Sequence, residues 1–98
     1  MRRTNVRLSE FEKDAIKESV LPLDPEAKIF LFGSRADDTQ KGGDIDLLVL
    51  SPRLSSSDRI KIKARLFKRL EEQKIDIIIA ADTQRPFVRM ALKNGVPL

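Results

Sequence analysis

The sequence predicts an α/β (α+β) domain. Three short apolar or β-branched runs, at residues 29–32, 47–50 and 75–80, are bracketed by turn residues. Amphipathic stretches with capping residues precede, separate and follow them, and 98 residues suit one domain, 1–98, with a modest core.

Ser9-Glu10-Phe11-Glu12 has the form of a capping box, with Ser9 as N-cap and Glu12 reaching back from the third helical position. Phe11, Ala15, Ile16 and Val20 follow at helical spacing as the expected core face, and Pro22 and Pro25 stop the helix. The consecutive apolar residues of the first strand imply burial on both faces, as in a strand covered by helices. A Gly33-Ser34 corner and a polar loop come next, then Gly42-Gly43-Asp44-Ile45-Asp46 enters the second strand.

Ser51-Pro52 and Ser55-Ser56-Ser57 mark a loop, and Ser57 or Asp58 is the expected cap of a long helix ended by Lys74. Ile60, Ala64, Phe67 and Leu70, with Ile62 and Leu66 beside them, form its apolar stripe. Its other side carries Arg59, Lys61, Lys63, Arg65, Lys68 and Arg69. This reads as a solvated face with some electrostatic steering, because no exposed aromatic is expected among the cations for base stacking. The third strand is rich in isoleucine, and Asp76 within it needs a compensating partner. Thr83 is the expected cap of a last helix, with Pro86 in its first turn. Phe87, Met90 and Ala91 face its core side, and Val88 and Leu92 flank them. Asn94-Gly95 and Pro97 stop the chain, leaving no room for a further element before Leu98.

Composition narrows the chemistry. Hydrophobic residues make up 41% and charged residues 35%, the balance of a globular protein, and no apolar run approaches a bilayer span. Met1-Arg2-Arg3 is followed by polar residues rather than an apolar signal core, so a cytoplasmic address is expected. Cysteine and histidine are both absent, which excludes disulfides, thiolate chemistry and the usual general base and zinc ligand. Any metal or acid–base chemistry falls to carboxylates, whose oxygens favour Mg²⁺ or Mn²⁺. A net charge of +4 suits an anionic partner.

Asp44, Asp46 and Asp76 are the candidate catalytic and metal-binding residues. On an extended segment Asp44 and Asp46 project to one face, about 6–7 Å apart. Three carboxylates converging in a low-dielectric crevice repel one another unless cations neutralise them. Two Mg²⁺ ions about 3.5–4 Å apart would do so and would clamp the attacking and leaving oxygens of a phosphoryl or nucleotidyl transfer. Asp44 and Asp46 would hold both ions, while Asp76 would complete the ion that activates the attacking hydroxyl and could accept its proton. Gly33 and Ser34 are candidate nucleotide-binding residues, through close backbone approach and hydrogen bonds to phosphate oxygens, and Arg35 could contact the triphosphate. Each piece alone has a plain structural reading as a turn, a cap or a salt-bridged core residue; Asp37, Asp38 and Asp82 are assigned to loop solvation and turn or cap duty. The specific signal is the whole order of pieces.

Phe32-Gly33-Ser34-Arg35-Ala36, then Gly43-Asp44-Ile45-Asp46-Leu47-Leu48-Val49, with Asp76 downstream, resembles the polymerase-beta-type nucleotidyltransferase superfamily in its minimal branch. The resemblance covers nearly the whole chain. It implies a small mixed β-sheet of three or more strands flanked by about four helices. It also implies Mg²⁺-dependent transfer of a nucleoside monophosphate from ATP or another NTP, with Asp44, Asp46 and Asp76 as metal ligands. Minimal members are often paired with a small helical HEPN-type protein, where the transferase acts as antitoxin by adding AMP to its partner. Gly43 and Asp37 stand where many relatives carry serine and glycine, which bears on the loop rather than on the triad.

So small a chain has little left for an acceptor pocket, which favours an acceptor carried by another protein. Two other functions stay open: an antitoxin or partner module that acts by contact without catalysis, and nucleotidylation of a small molecule or an RNA end. Self-association is left open as well.

Overall fold

The computed structural model describes residues 8–32, 45–70 and 74–98. Its elements follow the order α1 (Glu10–Val20), β1 (Lys28–Phe32), β2 (Ile45–Leu50), α2 (Ser56–Arg69), β3 (Ile75–Ala80), α3 (Pro86–Asn94) and β4 (Val96–Pro97). This is the expected mixed α+β architecture, with three helices among the described residues against about four expected. No helix among those residues is long and apolar enough to cross a membrane.

The sheet order is β3-β2-β1-β4. β1 and β2 run antiparallel, whereas β2 and β3 run parallel, joined by the crossover that contains α2. Strand parity divides the core in two. Ile29, Leu31, Ile45, Leu47, Val49, Ile75 and Ile77 pack on one face with Ala15, Ile16 and Val20 of α1 and Ile62 and Leu66 of α2. Leu48 and Ala80 pack on the other with Val88 and Ala91 of α3, flanked by half-buried Phe30, Phe32 and Ile78. β1 is therefore covered on both sides, as its unbroken apolar run implied, but less tightly on the α3 side. Burying each large aliphatic side chain here contributes about 1.5–3 kcal/mol before conformational entropy is set against it.

Local chemistry sets the helix ends. Ser9 caps α1 with both bonds of the capping box: Glu12 N–H donates to Ser9 Oγ at 3.1 Å, and Ser9 N–H donates to Glu12 Oε1 at 2.9 Å. α2 starts earlier than expected, because Ser55 rather than Ser57 or Asp58 is its N-cap and Asp58 completes the box from the third helical position. It ends at Arg69 with Leu70 as C-cap, short of Lys74. Thr83 does not cap α3; Arg85 occupies that position with no side-chain bond, and Pro86 opens the helix. Asp82 does its assigned turn duty, accepting from Gln84 N–H at 2.9 Å.

Several apolar residues face outward where the core side was expected. α2 buries Ile62, Leu66 and Leu70, while Ile60 and Phe67 are 63% and 53% exposed. The helix carries two apolar lines, 60/64/67 and 62/66/70, and only the second meets the sheet. Phe67 thus stands exposed among the cations, which removes the premise that no exposed aromatic is interleaved with them. Phe11 is also exposed and lies under the Arg69 guanidinium, 5.5 Å from its ring centroid, while Arg69 pairs with Glu18 at 2.6 Å. On α3 the buried residues are Val88 and Ala91, with Phe87 and Met90 outward.

The chain also makes an element where the sequence was expected to leave no room for one. β4 pairs antiparallel with β1 through Val96 and Pro97. Gly95 permits this by close approach rather than by unusual dihedrals: a Cβ there would lie 2.5 Å from Ala91 O and 3.1 Å from Leu31 O.

Candidate functional site

Parallel pairing of β2 with β3 puts Asp46 and Asp76 in register. Adjacent strands lie about 4.8 Å apart and register partners project to the same face, so residues 30 apart in the chain become lateral neighbours. Across β1 the same row continues to Phe32, the register partner of Asp46. By parity the row lies on the α3 face. Phe87, in the first turn of α3, meets Phe32 edge-on at 5.7 Å between centroids. Both aspartates are half-buried.

The isoleucines around Asp76 explain how a carboxylate is tolerated in so apolar a strand. Ile75 and Ile77 face the α1/α2 core, whereas Asp76 shares the opposite, partly open face with half-buried Ile78. The partner it needs is therefore sought on that face, where Asp46 stands. Two carboxylates so placed present their oxygens to a cation from the same face.

Asp44, Gly33, Ser34 and Arg35 lie outside the described residues. Asp44 is joined by a peptide bond to Ile45, the first residue of β2, and Gly33 to Phe32, the last residue of β1. Among the described residues, no group of three or more acidic side chains is clustered to hold a metal ion. The pair that is described offers oxygen donors only, on a half-buried surface, and so fits a hard divalent cation better than zinc.

At the other end of β2 the structure holds a carboxylate that sequence reasoning passed over. Asp24 is buried, 1% exposed. Its Oδ2 accepts from the Ser51 hydroxyl, and its Oδ1 accepts from Glu26 N–H at 3.0 Å and faces the Arg53 guanidinium at 3.9 Å. Ser51 Oγ in turn accepts from Arg53 N–H at 3.1 Å and Leu54 N–H at 3.3 Å. The Ser51 hydrogen bond, helped by Glu26 N–H and the Arg53 charge and opposed by burial, holds the Asp24 carboxyl below the usual range. An aspartate beside a proline reads as a turn residue, so only the fold shows that it ties the chain before β1 to the chain after β2. The Phe32–Phe87 contact was equally illegible, since one ring was read as strand core and the other as helix core.

Comparison with known proteins identifies a family for the chain. A family model described as a nucleotidyltransferase domain matches residues 13–98. No curated protein gives a significant match to the chain.

Proposed function

Since the chain belongs to the nucleotidyltransferase domain family, we propose that it transfers a nucleoside monophosphate, AMP in the first instance, from an NTP to a hydroxyl of a partner protein. The acceptor oxygen forms a bond to the α-phosphorus, the bond from that phosphorus to the bridging oxygen breaks, and pyrophosphate leaves. The observation that carries this reading is the register pairing of Asp46 with Asp76 on one half-buried face.

In this reading Asp46 and Asp76, with Asp44, hold the divalent cations, Mg²⁺ or Mn²⁺. Bound there, the cations would neutralise phosphate charge and ease ionisation of the attacking hydroxyl. Asp46, on the inner strand, faces the nucleotide side. Asp76, on the outer strand, faces the incoming acceptor and orients its hydroxyl. Gly33 and Ser34 would take up phosphate oxygens, with Arg35 beside them. An acceptor supplied by another polypeptide suits the short chain. A helical HEPN-type protein, neutralised by the modification in a toxin–antitoxin pair, is the biological form we infer.

Incubation of the chain with α-labelled ATP, Mg²⁺ and the protein encoded by the adjacent gene tests this. Label on that protein, lost with Asp46→Asn, is the expected result. A stable complex without label would leave a contact-only antitoxin, and label on RNA rather than protein in a cell extract would move the acceptor to nucleic acid.

A further inference from the structure

Among the described strands, β3 is the outermost of the sheet on the Asp76 side. Lys74 O accepts from Ile45 N–H at 3.0 Å and Ala80 O from Ser51 N–H at 2.8 Å, so the even-numbered residues of β3 turn their backbone groups toward β2. By alternation the N–H and C=O groups of Ile75, Ile77 and Ile79 turn outward, and no described strand pairs with them. Exposed edges are usually blunted by lysine, proline, a bulge or a covering element. β3 carries four isoleucines in six residues, no proline and no charge but Asp76. Beside it runs an open cleft of ≈ 450 Å³ between residues 77–79 and the start of α2, lined there by Leu54, Ser55, Ser56 and Arg59.

The geometry points to this edge as the acceptor dock: an extended segment of the partner protein adds to β3 as a fifth strand and presents its hydroxyl residue beside Asp76. The inference rests on the nucleotidyl-transfer reading above. Strand addition satisfies the three outward backbone pairs without demanding a particular sequence, so a small domain can recognise a polypeptide without a deep pocket. Every second side chain of the added strand falls on the Asp76 face, and the one directly across from Asp76 has its Cβ about 4.5–5.5 Å away. A serine, threonine or tyrosine at that position reaches the carboxylate pair. The hydroxyl oxygen then bonds to the α-phosphorus of the NTP, pyrophosphate departs and the hydroxyl proton passes to water.

Charge selects the occupant. Arg59 in the cleft and the basic side of α2 suit an acidic residue next to the paired stretch. A second copy of the chain is disfavoured. Two-fold pairing of β3 with β3 would set two α2 helices side by side on one face, each with six cations and only Asp58 among acids.

The test uses the whole chain and a pool of ten-residue peptides randomised except for a central serine, threonine or tyrosine, with ATP and Mg²⁺. Enriched peptides are expected to slow hydrogen exchange at the Ile75, Ile77 and Ile79 amides and to receive labelled AMP. N-methylation of a peptide amide that faces β3 should weaken binding about tenfold, as loss of one backbone hydrogen bond does, while methylation of the alternate amides should not. Ile79→Pro removes an outward N–H while sparing the ladder to β2, and should abolish peptide protection. Methylation provides the same reading should that variant fail to fold. Label on peptides that protect no β3 amide would overturn strand addition and leave the transfer reading intact. Protection of β3 without label would instead sink the transfer reading. Protection that grows with protein concentration in the absence of peptide would assign the edge to a second copy, and failure to enrich any peptide would likewise overturn the proposal.

Discussion

Asp24 and the Asp46/Asp76 pair occupy opposite ends of the same sheet, and their surroundings differ in kind. Asp24 is buried among donors: a serine hydroxyl, a backbone N–H and a guanidinium all address it, and its negative charge is answered from within the fold. Asp46 and Asp76 sit half-buried on one face, each with a second carboxylate as lateral neighbour. A carboxylate whose charge the fold answers holds the fold together. Two carboxylates that strand register sets side by side on a partly open face present their oxygens together to a cation from solution.

The contrast can be broken most forcefully through activity. Asp46→Asn or Asp76→Asn should lower nucleotidyl transfer by about a thousandfold, roughly 4 kcal/mol of transition-state stabilisation, with the melting temperature kept. Asp24→Asn should do the reverse, lowering the melting temperature by several degrees and leaving the rate per folded molecule unchanged. Transfer assays paired with thermal melts of the three variants check both statements, and loss of stability in Asp76→Asn equal to that in Asp24→Asn would erase the distinction.

Ligand linkage gives the next largest effect. Mg²⁺ with an NTP at about a hundred times its dissociation constant should stabilise the wild-type chain by about 2.7 kcal/mol. Asp44→Asn should abolish that gain and slightly raise the melting temperature of the metal-free protein by removing repulsion, whereas Asp24→Asn should retain the gain. Differential scanning fluorimetry with and without Mg²⁺ measures it.

The smallest effect is in pH. The Asp24 carboxyl is held below its ordinary value in the folded chain, so its contribution is fully present above the unfolded carboxylate range, near 3.8. As pH falls below that range toward the folded pKa, the unfolded state binds the proton first and the contribution drains away. The stability gap between wild type and Asp24→Asn should therefore be constant from neutral pH to about pH 5 and close on further acidification. Urea titrations across that range would show it, and a gap that widens in acid would contradict the assigned role.

Much of the fold was legible because its signals are local. Residues 75–80 are β-branched enough to declare a strand without help, and Ser9 with Glu12 declares a helix start within four residues. The candidate site was legible in part for a different reason: Asp76 is out of place among isoleucines, and a misplaced charge invites a partner. Register lies beyond local reading. That Asp46 stands beside Asp76 depends on how two strands align across a helical crossover. The facing of α2 failed because two apolar lines share one helix, and periodicity alone cannot choose between Ile60 and Ile62. β4 was hidden by its two-residue length and its proline, and Asp24 by a turn-like neighbourhood whose partner lies 27 residues onward at Ser51.

The central claim is that the two ends of the sheet differ in their appetite for cations. Titration of the isotope-labelled chain with Mn²⁺ and an NTP tests it directly, because backbone resonances broaden in proportion to their closeness to the ion. The account predicts selective broadening of residues 45–47 and 75–77, none at Asp24 or Ser51, and loss of the effect in Asp46→Asn. Broadening around Asp24, or broadening of β2 and β3 that survives Asp46→Asn and Asp76→Asn together, would contradict it.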